Sequence, residues 1–170
     1  MLENLPASVL MIPLILQGIL IAFDEFYFHW KRGLGRWERL GHPLDTLFLI
    51  VCAVFAYASS WQGWSIPIFI ALAIGSSIFV TKDEWVHQRE SSGTEAWLHA
   101  IMFQLHPVAL IAIGLLGYGS AQGIEGYPSA LAIQIGIMCT FGLYQFIYWN
   151  LIRSKRIDES VSVQARSSSS

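Results

Sequence analysis

The chain has 170 residues, 54% of them hydrophobic and 13% charged, with a formal net charge of −2 and positive mean hydropathy. That balance is too apolar for an ordinary soluble domain, and nothing in it resembles a nucleic-acid surface. It points to an all-α integral membrane protein, because uncharged runs of about 20 residues match the roughly 30 Å hydrocarbon core of a bilayer.

Five such runs predict five transmembrane helices, over residues 6–23, 43–60, 66–80, 96–118 and 129–150. The third is short and reaches spanning length if it continues through Thr81 to His87. Residues 1–152 are then one transmembrane domain and 153–170 a flexible polar tail ending in four serines. No positive segment precedes the first apolar run and no small-residue cleavage site follows it, so a cleaved signal peptide is not expected. All ten basic residues fall in the loops at 30–37 and 88–94, at the helix ends beside them, or in the tail. By the positive-inside rule that side is cytoplasmic and the N-terminus is outside. The expected location is a bacterial inner membrane.

The first helix ends in Asp24-Glu25-Phe26-Tyr27-Phe28-His29. At α-helical spacing Glu25 and His29, four apart, share a face. A turn containing Gly33 and Gly35 leads to Glu38 and His42, again four apart, and to Asp45. Pro43 is comfortable only in a first helical turn, so the second helix is expected to start late or kink there, which would leave Glu38 in the loop. Trp61 and Trp64 mark the outer interface, and Trp30, Trp37, Trp85 and Trp97 the inner one. The third helix ends in Asp83-Glu84-Trp85-Val86-His87, its gap one residue shorter than in the first cluster. Thr94 can cap the fourth helix. Glu95, His99 and His106 follow as a stripe on one face. The fifth helix carries Gln134, Cys139, Thr140, Tyr144 and Gln145, for packing or for a polar lining. Cys52 and Cys139 lie inside predicted spans and read as small apolar residues.

The two clusters match at offsets of 57 to 59 residues and hold four of the five histidines and six of the twelve acids. They make two hairpins, about 10–60 and 67–118, that run the same way through the bilayer as a parallel repeat forming a four-helix bundle. A fifth helix, about 128–152, stands outside the repeat. Divalent transition metals take neutral imidazole and carboxylate, and helical spacings of three or four bring two such ligands to one ion. The arrangement resembles the logic of ferritin-like di-metal carboxylate proteins, which draw glutamates and Glu-x-x-His pairs from four helices. Only Glu84 and His87 keep that three-residue spacing.

Two copies predict two divalent metals, iron first, with zinc or manganese as alternatives. The candidate ligands are Glu25, His29, Glu38, His42, Glu84, His87, Glu95 and His99, with His106 as ligand, proton relay or packing residue. Asp24 and Asp83 are further ligands, histidine-orienting groups or general bases, and Asp45 an orienting group. The competing expectation is a salt-bridge network with Lys31, Arg32, Lys82 and Arg89. Three functions fit. One is a di-iron oxidoreductase acting on a membrane lipid or other hydrophobic small molecule at the cytoplasmic interface. The second is a di-zinc hydrolase of a lipid headgroup or ester. The third is metal transport, storage or sensing. Five histidines are too few for the HxxxH and HxxHH clusters of membrane alkane hydroxylases and acyl desaturases.

Overall fold

A computed structural model of the chain describes residues 5–83 and 92–153, and shows helices and turns with no strand among them. The helices are α1 (Ala7–Arg32), α2 (Arg36–Ala58), α3 (Ser65–Val80), α4 (Gly93–Ala121) and α5 (Tyr127–Ile152). Four of them, α1, α2, α4 and α5, are long and apolar enough to cross a membrane. The remaining one, α3, is a shorter apolar helix of 16 residues that runs on into a 3₁₀ turn, Thr81–Asp83.

Local chemistry sets the ends. Gly33 takes a positive φ of 79° to turn the chain out of α1, and Gly35 caps α2. Ser92 caps α4 by accepting the Glu95 N–H, so Ser92, rather than Thr94, is the cap. Helix α2 does not wait for Pro43: it starts seven residues earlier, at Arg36, and keeps the proline inside. A proline there cannot donate to the carbonyl four residues back. That carbonyl belongs to Arg39, and the Asn150 side chain of α5 donates to it at 2.9 Å. Glu38 and His42 therefore stand on one helix, with α5 making good the bond the proline omits.

Helix α4 is the centre of the assembly and packs against all four others. Helix α1 packs chiefly on α4 rather than on α2, its neighbour in sequence, and α5 packs on α2, α4 and α1. The fifth helix is thus an integral member of the bundle. Cross-helix bonds join the C-terminal ends of α1, α3 and α5 to the N-terminal ends of α2 and α4, through Arg32–Glu95, Lys82–Asp45 and Asn150–Arg39.

Small residues let the backbones approach. Ala53, Ala56, Ala109 and Ala112 are buried, and a Cβ on Gly117 would sit 2.5 Å from the Ala56 carbonyl oxygen. The outer faces are the reverse: Ile12, Ile15, Leu16 and Ile19 of α1 and Ile133, Ile137 and Leu143 of α5 are about half exposed or more. Apolar surface on this scale, on helices of this length, suggests a membrane protein. Trp64, 81% exposed, suits an interfacial position, whereas Trp61 is buried against Phe69 and donates to Ala56. Replacing Gly117 by valine is expected to destabilise the fold by about 1–3 kcal/mol, the usual effect of overpacking. Thermal unfolding in detergent, with Gly136→Val as the control in open space, measures it.

Candidate metal centre

Residues Asp24–His29 are not α-helical; they form a π-helical turn closed by the Trp30 N–H bonding to the Glu25 carbonyl, five residues back. The wider turn changes which side chains meet. In an α-helix only Glu25 would stack under His29. Here His29 touches both acids: its Nε2 lies 3.2 Å from Asp24 Oδ2 and its Nδ1 lies 3.4 Å from Glu25 Oε2. Single π turns inside α-helices are rare and occur often at functional sites.

Asp24 Oδ2 also lies 3.0 Å from His99 Nε2 on α4. Glu95, one turn before His99, completes a group in which one donor atom from each of Asp24, His29, Glu95 and His99 lies within 4.8 Å of the others. All four are buried, at 2–4% exposure. Two imidazoles and two carboxylates, drawn in equal number from α1 and α4, could hold a metal ion. A test of fit comes from Asp24: its Oδ1 is buried and without a hydrogen-bond partner among the described residues, a costly state that a bound cation would relieve.

Glu25 stands outside the four-residue group. Its carboxylate faces His29 Nδ1 and accepts from α5: from Trp149 Nε1, from Tyr144 at 3.3 Å and, at the limit of hydrogen bonding, from Gln145 at 3.5 Å. Thr46 of α2 in turn donates to Gln145. A carboxylate on the far nitrogen of a histidine fixes the ring and leaves the other nitrogen for a metal. Asp24 thus joins the candidate group, while Glu25 stands behind His29. The cause is the π turn, which sequence spacing alone does not reveal.

Arg32 connects the remaining acids. It grips Glu38 through two nitrogens at 2.7 and 3.0 Å and reaches Glu95 at 3.1 Å. Glu38 also accepts the Gly35 N–H, so it closes the α1–α2 turn and lies outside the four-residue group. His42 stacks on His29, with ring centroids 4.7 Å apart, as a neighbour of the group. Asp45 is held by Lys82 at 2.7 and 2.8 Å and belongs to the α2–α3 contact. His106 bonds to Gln17 of α1 at 2.9 Å and to Ser76 of α3 at 3.0 Å. With both ring nitrogens engaged it ties three helices together away from the group. Glu84, His87 and the Asp83 side chain lie outside the described residues, so among the described residues there is one candidate group.

The salt-bridge network is present in part: Arg32 and Lys82 take Glu38, Glu95 and Asp45, Lys31 lies over the Tyr27 ring, and Arg89 lies outside the described residues. Asp24 and Glu25 touch no lysine or arginine among the described residues. Two participants were not among the sequence candidates. In the sequence Arg32 stands out only as a competitor for the acids. Trp149, fully buried, stands four residues after Gln145, and that shared stripe on α5 was the available signal.

One metal equivalent per chain is expected for the wild-type protein by elemental analysis. Asp24→Asn, His29→Ala or His99→Ala should each remove it, while His106→Gln and Asp45→Asn should retain it. Glu25→Gln should keep the ion but weaken its affinity about 10- to 100-fold, as loss of a histidine-orienting carboxylate does. Undiminished metal in both histidine variants would show that the ligand set is wrong. Compared with protein families, characterised proteins and solved structures, the chain matches none.

Proposed function

We propose that the chain is a five-span integral membrane metalloprotein that works as an iron-dependent oxidoreductase on a lipid or other hydrophobic molecule. The observation that carries this reading is the Asp24 carboxylate, buried between two imidazole nitrogens with its second oxygen unpartnered. Asp24, His29, Glu95 and His99 would hold the ion, Glu25 would orient His29, and Arg32 would offset the charge of Glu95 and Glu38.

Nitrogen and oxygen donors without thiolate suit iron, manganese or zinc, and a histidine–carboxylate set with open positions is the usual setting of non-haem iron(II). Iron bound there would supply electron transfer to and from oxygen. The surroundings support a hydrophobic substrate. Phe23, Phe26 and Trp30, on the same turns as Asp24 and His29, face outward at 46–48% exposure. A molecule dissolved in the bilayer could approach from that side. The gathering of basic residues at this end supports a cytoplasmic placement.

A zinc hydrolase fits less well, because it needs a carboxylate free to act as base on a metal-bound water. Among the described residues Asp24 belongs to the candidate ligand group, and Glu25 and Glu38 are tied to α5 and Arg32; the Asp83 side chain, the other expected base, lies outside them. Transport fits less well because His106, which would carry a polar path inward, has both ring nitrogens engaged by Gln17 and Ser76.

Purification without added metal, under argon, tests the proposal. Iron is expected, with an absorption change on admitting oxygen that is absent from His99→Ala. Zinc inert to oxygen would transfer the reading to hydrolysis, and absence of any metal would overturn it.

A further inference from the structure

Beside the candidate centre lies a cavity of about 320 Å³, lined by Arg32, Arg39 and Arg153, the Gly33–Gly35 turn and the Trp149 ring. Its charge is lopsided. The acid of this region, Glu38, is engaged by Arg32 and by the Gly35 N–H. Arg39 has no acidic partner among the described residues, and its Nε is buried without a hydrogen-bond partner. Arg153 is positioned over the Trp149 ring at 5.1 Å, also with no acidic partner among them. Three guanidinium groups thus converge on one space from three helix ends, α1, α2 and the residue following α5.

Orientation in a membrane explains why basic residues gather at this end, but it needs only charge, which lysine would supply equally. It does not explain guanidinium groups around a cavity. A planar guanidinium presents paired N–H donors that match two oxygens of a phosphate, and half-buried Arg39, its Nε buried and unbonded, has no such partner among the described residues. Basic pockets between helices at the cytoplasmic side of membrane proteins take lipid headgroups of this chemistry. The volume is at the low end for ligand pockets of about 300–1,000 Å³, enough for a headgroup with its acyl chains outside.

We propose that this cavity binds a phosphate monoester or diester group, held between Arg39 and Arg153 with Arg32 as its third wall. That group is the headgroup of an anionic phospholipid or the phosphate of a soluble ester. The inference stands independently of the metal reading, although Arg32 also contacts the candidate ligand Glu95 and places the anion one side chain from the metal centre.

The test uses the full chain in phosphatidylcholine nanodiscs, with metal content measured in the same samples so that failure of one reading does not count against the other. Binding is followed by calorimetry with inorganic phosphate, and by thermal unfolding as phosphatidylglycerol replaces part of the phosphatidylcholine. Saturable binding in the phosphate arm supports a soluble source, and stabilisation confined to the lipid arm supports a headgroup. In either arm the double variant Arg39→Lys/Arg153→Lys, which keeps the charge and removes the forks, should weaken the response at least about tenfold, the worth of roughly one charge-assisted hydrogen bond. No response in either arm, or an unchanged response in the lysine variant, overturns the proposal.

Discussion

The structure depends on the burial of negative charge at one end of the bundle. Asp24, Glu25, Glu38 and Glu95 are each at least 96% buried, and among the described residues one guanidinium, Arg32, reaches two of them. An ionised carboxylate removed from water is penalised by several kcal/mol unless it is paired and fully hydrogen-bonded. Glu38 and Glu25 meet that condition, the first through Arg32 and Gly35, the second through a ring of donors on α5 and His29. Asp24 does not. Its neighbours are two imidazoles, and one of its oxygens is left over. A divalent cation at that point would satisfy the acid and both histidines together.

Helix architecture serves this arrangement. The π turn in α1 brings two consecutive acids to opposite nitrogens of one histidine, so a single ring links the candidate metal to Glu25 and thence to α5. The central helix α4 supplies the other half of the candidate ligands. Helix α5 supplies a supporting shell of Trp149, Tyr144 and Gln145, and through Asn150 it also repairs the hydrogen bond missing at Pro43. The same few turns therefore carry both fold and site. The apolar remainder of the bundle, with His106 bonded to Gln17 and Ser76, holds these ends in register.

Much of this was legible in the residues. The apolar runs located the helices, and the pairing of acids with histidines located the end of the bundle that matters. Glu95 and His99 lie together because an ordinary α-helix places residues four apart on one face. What was not legible depends on departures from that periodicity or on partners distant in sequence. The π turn promoted Asp24 and set Glu25 back. Asp45 and Lys82 are 37 residues apart, and the two bonds that occupy His106 come from α1 and α3. The start of α2 at Arg36 depended on an asparagine 111 residues from the carbonyl it completes.

X-ray absorption at the metal edge of the protein as purified tests the central claim most directly, because it counts and identifies the atoms around an ion without reference to activity. The account predicts a first shell of nitrogen and oxygen only, with the outer-shell scattering of two imidazoles and none from sulfur, and loss of that scattering in His29→Ala/His99→Ala. A sulfur-containing shell, a shell without imidazole, or a protein that retains no ion when purified in the presence of iron, manganese or zinc would contradict it.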